Sequence, residues 1–114
     1  MEYFLKIPGI PPSVNHYVKH TRSGRHYKTP RAEAFSQRVA LAAGPLRGKK
    51  INAKQVEILV TLGHKQRGDI DNFPKVVLDS LVRCGVIETD ASIYRLVIEK
   101  NRAEISSTCV WVND

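Results

Sequence analysis

A chain of 114 residues, 42% apolar and 25% charged, has the make-up of one folded domain and not of a disordered or fibrous polymer. No apolar run approaches the ~18 residues that a membrane span needs, and the opening MEYFLKIPGIPP lacks the layout of a secretory signal. The net charge of +7 is unevenly shared: residues 1–50 carry ten Lys/Arg against two Glu, and residues 51–114 carry eight against nine Asp/Glu.

These figures set the first expectations: a single domain over residues 1–114, in the cytoplasm. A basic half joined to a near-neutral half with clustered acids suits a polyanion partner; on charge alone a basic protein with no nucleic-acid partner fits equally well. Cys84 and Cys109 match no metal-knuckle spacing and read as two buried free thiols.

Along the chain, residues 2–7 (EYFLKI) read as a first strand, stopped by Pro8-Gly9 and the Pro11-Pro12 pair. Residues 13–29 are polar, basic and aromatic, with Ser23-Gly24 as a tight turn, and read as a loop or irregular hairpin. Thr29-Pro30 opens a helix over 30–43, because threonine caps and proline at the first position forfeits only an N–H that has no partner. Phe35, Val39 and Ala42 make its apolar stripe, and Gly44-Pro45 ends it. A basic loop follows over 45–53.

Residues 55–62 (QVEILVTL) alternate, with Val56, Ile58, Val60 and Leu62 on one face of a strand. Asp71 or Asn72 caps a second helix with Pro74 in its first turn and Val77, Leu78, Leu81 and Val82 as its buried stripe. Asp79 and Arg83, four apart, are expected to pair on its outer side, and Gly85 fits a left-handed stop. Residues 92–100 and 104–112 read as strands joined at Asn101-Arg102, a hairpin. The order of elements predicts an α+β two-layer fold, a mixed or antiparallel sheet packed with two helices.

The sharpest pattern is Gly68-Asp69-Ile70-Asp71-Asn72, followed by Lys75 and later by Asp90. An extended chain across Asp69–Asp71 would put both carboxylates on one side, and Lys75 lies one helical turn further on. The chain would have to double back through Gly85–Thr89 to bring Asp90 to the same place. Three gathered carboxylates repel, and a hard cation such as Mg²⁺ with its taste for oxygen ligands resolves the conflict. Such an ion activates water and steadies a phosphate, and a lysine beside it adds a point charge. The plain alternative is a helix cap with a turn and no metal.

The stretch D-I-D-N-x-x-K-x-x-x-D-x-L-x-x-x-G-x-x-x-x-D, Asp69 to Asp90, resembles the signature of RusA-type Holliday junction resolvases. P-P-S-x-N-x-Y, Pro11 to Tyr17, is similar to the start of the same family, and the order of elements fits across nearly the whole chain. The resemblance implies an α+β fold and an endodeoxyribonuclease that cuts four-way DNA junctions in recombination and repair. It implies a homodimer, Mg²⁺ held by Asp69, Asp71 and Asp90, an assisting Lys75, and a phage or prophage origin for many members. The run His64-Lys65-Gln66-Arg67 before the aspartates is less arginine-rich than is usual there.

Residues expected to face DNA are Asn15, Tyr17, Lys19, Arg22, Arg25 and Lys28 in the basic aromatic segment, with Lys65 and Arg67 beside the aspartates. A solvated basic loop is the bland alternative. His16 and His20 are four apart, but no cysteine or carboxylate is near and a zinc site is not expected. Tyr94 and Trp111 read as core or dimer-interface residues. Rival functions are a non-catalytic DNA-binding protein on the same fold and a metal-dependent phosphohydrolase acting on small molecules.

Overall fold

A computed structural model of the chain describes residues 1–12 and 30–114, together with the backbone of 18–20 and 26–28. The first strand, β1 (Glu2–Pro8), buries Leu5 and Ile7 and exposes Phe4, Lys6 and Pro8. The short strands β2 (Val18–His20) and β3 (His26–Lys28) pair antiparallel as a small sheet of their own, so this part of the basic segment is a hairpin. Thr29 and the Ser23-Gly24 turn lie outside the described residues.

Helix α1 (Pro30–Ala43) has the predicted bounds. Its buried side is Ala32, Phe35, Ser36, Val39 and Ala43, a spacing of three and four that makes one stripe. Strand β4 (Gln55–Leu62) buries Val56, Ile58, Val60 and Leu62 as the alternation requires. Helix α2 (Pro74–Arg83) buries Val76, Val77, Ser80 and Leu81. The predicted stripe is therefore turned: Leu78 is half-buried and Val82 exposed. The cause is α1, whose Ser36 hydroxyl shares a buried hydrogen bond with that of Ser80 at 3.2 Å.

The same contact between helices rearranges the expected ion pair. Asp79 has a lysine four residues before it and an arginine four after it. Arg83 binds Glu33 of α1 at 2.8 Å, and Asp79 is left to Lys75 at 3.3 Å.

Strands β5 (Arg95–Arg102) and β6 (Ser107–Asn113) do not form the predicted hairpin. β5 pairs parallel with β4, from Gln55 opposite Arg95 to Leu62 opposite Arg102. β6 lies antiparallel between β1 and β4, giving the sheet order β1-β6-β4-β5. α2 is the reason. It carries the chain from the end of β4 back to its beginning, so the next strand runs the same way as β4 and pairs with it in parallel. β6 buries Thr108, Val110 and Val112 and takes the central place; β5, exposed along most of its length, is an edge.

One face of this mixed sheet carries the core, where Phe35, Phe73, Ile7, Ile58 and Leu81 are almost fully covered. Each such side chain contributes roughly 1.5–3 kcal/mol. On the other face Phe4 and a half-buried Trp111 meet at 5.2 Å between ring centres, while Tyr94 is 87% exposed and belongs to no core. Cys84 and Cys109 are free thiols, half-buried where full burial was expected. The Met1 ammonium donates to Oδ1 of Asp114 at 2.7 Å and holds that carboxyl below the usual carboxylate range.

Candidate active site

The loop after β4 is braced before it reaches the aspartates. The Gly63 N–H donates to the Gln66 side-chain oxygen at 2.6 Å, and the Gln66 N–H returns to the Gly63 carbonyl at 3.1 Å. From the end of β5, Arg102 donates to the carbonyls of Gly63 and Gln66 at 2.7 and 2.9 Å, and Lys100 Nζ to that of Gly68 at 3.0 Å. Sequence reasoning missed both cations. They stand more than thirty residues from the loop, and no local spacing marks them. Gly68 is required by close approach, since a Cβ there would run into the ring of the buried Phe73.

Asp69 is extended (φ −84°, ψ 139°), but the chain then turns at once through a 3-10 turn, Ile70–Asn72, closed by the Asn72 N–H on the Asp69 carbonyl at 3.0 Å. The predicted extended Asp-x-Asp therefore gives way to a turn that exposes both carboxylates. The capping expectation is corrected as well. Phe73 is the N-cap of α2, and neither α2 nor the 3-10 turn has a side-chain cap hydrogen bond. Among the described residues Asp69 and Asp71 have no ion-pair partner. Lys75, one turn down α2, is mostly exposed in its pair with Asp79.

Asp90 arrives elsewhere. After α2 the chain joins the segment before β4: Ile51 bridges Ile87, and the Glu88 N–H donates to the Ile51 carbonyl at 3.0 Å. Ser92 Oγ then binds the Ala53 carbonyl at 2.6 Å, and the Tyr94 N–H that of Lys54 at 2.8 Å. Asp90, whose carbonyl accepts from Ile93, thus sits at the start of the β4–β5 pair. The aspartate turn sits toward its end, where Lys100 reaches Gly68. At about 3.3 Å per residue, Arg95 to Lys100 alone spans roughly 16 Å. The return through Gly85–Thr89 leads to the foot of β4, because a crossover helix uses its length to bring the chain there. Among the described residues no three His, Cys, Asp or Glu side chains come together to hold a metal ion. Within one chain the Asp69–Asp71 turn offers a hard cation two exposed carboxylates and not three.

Lys65 and Arg67 are exposed on the braced loop, Lys65 with a positive φ of 66°. Lys19 and Lys28 fall on the paired strands β2 and β3. Asn15, Tyr17, Arg22 and Arg25, with His16, lie outside the described residues.

The model of the endodeoxyribonuclease RusA family matches residues 8–112. The chain belongs to that family and is an endodeoxyribonuclease, a hydrolase acting on DNA, of a kind that works with a divalent metal. No curated protein shows significant similarity to it.

Proposed function

We propose that the protein cuts four-way DNA junctions as a Mg²⁺-dependent homodimer, in recombination and repair. The observation that carries this reading is the Asp69–Asn72 turn. Within the segment that resembles the resolvase signature, it presents two exposed carboxylates that cap no helix. Asp69 and Asp71 would hold the ion through hard oxygen ligands. Bound there, Mg²⁺ supplies an activated water and relief of charge at the phosphate. Lys75 is held only by an exposed pair, of a type that contributes a few tenths of a kcal/mol. Its ammonium is free to swing onto a phosphate oxygen as charge builds. Arg67 and Lys65 would position the strand through its backbone.

Asp90 enters through a second copy. α1 takes the Ser80 and Arg83 side of α2. Leu78 and Val82 lie on the other side of the helix. On this reading they join the exposed Ile70, Leu96 and Tyr94 in an apolar flank between the aspartate turn and Asp90. A twofold axis through the middle of that flank buries it against itself and sets the partner's Asp90 beside Asp69 and Asp71. Two such sites match the near-twofold symmetry of a four-way junction.

Mixing two inactive variants tests this directly. Asp71→Asn and Asp90→Asn each abolish cleavage of a synthetic junction with Mg²⁺. In a mixed dimer one site collects both changes and the other none, so mixing restores cuts at one strand. If the three carboxylates acted within one chain, mixing would restore nothing. A protein that binds junctions tightly yet leaves them whole with Mg²⁺ or Mn²⁺ would be a binding module instead.

A further inference from the structure

Beside the aspartate turn, the exit of β1, the first turns of α1 and the braced loop enclose a cleft of about 450 Å³, lined by Ile10, Pro12, Arg31, Arg38, Gln66 and Arg67 among others. Among the described residues no Asp or Glu lines it. The one acid in the first turn of α1, Glu33, is drawn away to Arg83 and faces the neighbouring groove.

The three arginines play different parts. Arg38 is wall: Nε donates to the Pro8 carbonyl at 2.9 Å, Nη2 reaches that of Ile10 at 3.5 Å, and the guanidinium lies 5.4 Å from the Phe35 ring centre. Arg31 and Arg67 are exposed and have no ion pair among the described residues. Arg67 is nonetheless on a loop that Arg102 and Gln66 hold in place, so its backbone is set before a ligand arrives. It stands two residues before Asp69, a span of at most ~7 Å.

We infer that this cleft is a phosphate seat for the strand being cut. It holds one backbone phosphodiester near the scissile one through the forks of Arg31 and Arg67, and so sets which bond lies over Asp69 and Asp71. The inference rests on the nuclease reading above. Two arginines lining one cleft, with no carboxylate among its described residues, suit phosphate oxygens, which guanidinium forks bind in pairs. Generic attraction of DNA needs only scattered charge; a walled cleft with an arginine carried on a braced loop suits one group. An acidic peptide is the other ligand that such a cleft could take, and the test separates the two.

The experiment uses full-length protein and synthetic four-way junctions in which single phosphates on the cut strand are replaced one at a time by neutral methylphosphonate. Cleavage is read with Mg²⁺, and binding without divalent ion across a range of salt. Wild type should lose affinity at one sharply defined position near the cut. Arg31→Gln and Arg67→Gln should each raise KM roughly tenfold with kcat little changed, and lower the slope of log affinity against log salt by about one. In either variant the methylphosphonate at that one position should cost less than in wild type, while other positions keep their effects. Arg67→Lys should keep the salt slope but lose part of the positional preference, which a folding defect would not produce. An unchanged slope, or equal sensitivity at every position in variant and wild type, overturns the phosphate seat alone. Competition by an acidic peptide that abolishes with Arg31→Gln, beside unaltered junction binding, also overturns it. A wild type that neither binds nor cuts junctions sinks the nuclease reading and the seat together.

Discussion

The two ends of α2 are built to opposite specifications. At its start the chain makes a 3-10 turn, has no capping side chain, and leaves Asp69 and Asp71 in solvent. At its end every step is tied down. Gly85 has a left-handed φ of 75°, its position closes against Gly48, and backbone bonds run from Gly48, Lys50 and Ile51 to the carbonyls of Cys84, Gly85 and Val86. The end that holds the fold together satisfies its polar groups with its own chain. The end proposed as the active site leaves Asp69 and Asp71 without an ion-pair partner among the described residues, and relies on Lys100, Arg102 and Phe73 to keep the turn in place.

The contrast is broken most severely at the carboxylates. Asp69→Asn or Asp71→Asn should lower junction cleavage by about a thousandfold, some 4 kcal/mol of transition-state stabilisation, with junction binding and thermal midpoint preserved. Wild-type rates in either variant would remove that residue from the site. The two glycines sharpen the comparison. Gly68→Ala and Gly85→Ala should each cost about 1–3 kcal/mol, the first by overpacking against Phe73 and the second by strain at a positive φ. They should part in function. In urea titrations followed by cleavage assays, Gly85→Ala should retain full activity per folded molecule, whereas Gly68→Ala should lose it as the aspartate turn moves.

Lys75→Ala should slow single-turnover cleavage by about tenfold, near 1.4 kcal/mol, without weakening junction affinity. Weakened binding with normal chemistry would assign Lys75 to the grip on DNA. The smallest effect belongs to the far end: Arg83→Ala removes a half-exposed pair with Glu33 and should lower stability by about 0.2–1 kcal/mol in denaturant titrations, with cleavage unaffected.

What could be read beforehand follows the range of the interactions. The bounds of α1, the alternation of β4 and the stop at Gly85 are local matters of capping, period and glycine geometry, and they stood in the sequence. Asp69, Asp71, Asp90 and Lys75 stand out in the sequence as a candidate set, by their spacing and by the resemblance. Where Asp90 sits was not, because a spacing fixes how much chain separates two groups and not the direction it takes. The β5–β6 hairpin was misread for a related reason. Asn101-Arg102 looks like a turn locally, but the choice of partner is made by α2, which delivers β5 to the flank of β4, and by the demand of β6 for neighbours on both sides. The Asp79–Arg83 pair failed because Asp79 has a cation at either four-residue interval and only the distant Glu33 decides between them. The arginine cleft gathers positions 31, 38 and 67, which no periodicity links.

The central position of β6 governs how the molecule comes into being. Glu2 finds its neighbour in Asn113, and Gln55 shares that same residue from the other side. As the polypeptide leaves the ribosome, β1 and β4 have nothing between them until residues 107–113 emerge. Folding that waits on such distant segments is slow, and without residues 107–113 the β4–β5 pair that braces the aspartate turn stands apart from β1. Until that strand is in place β1 has no partner in the sheet and the two sides of the molecule are not joined.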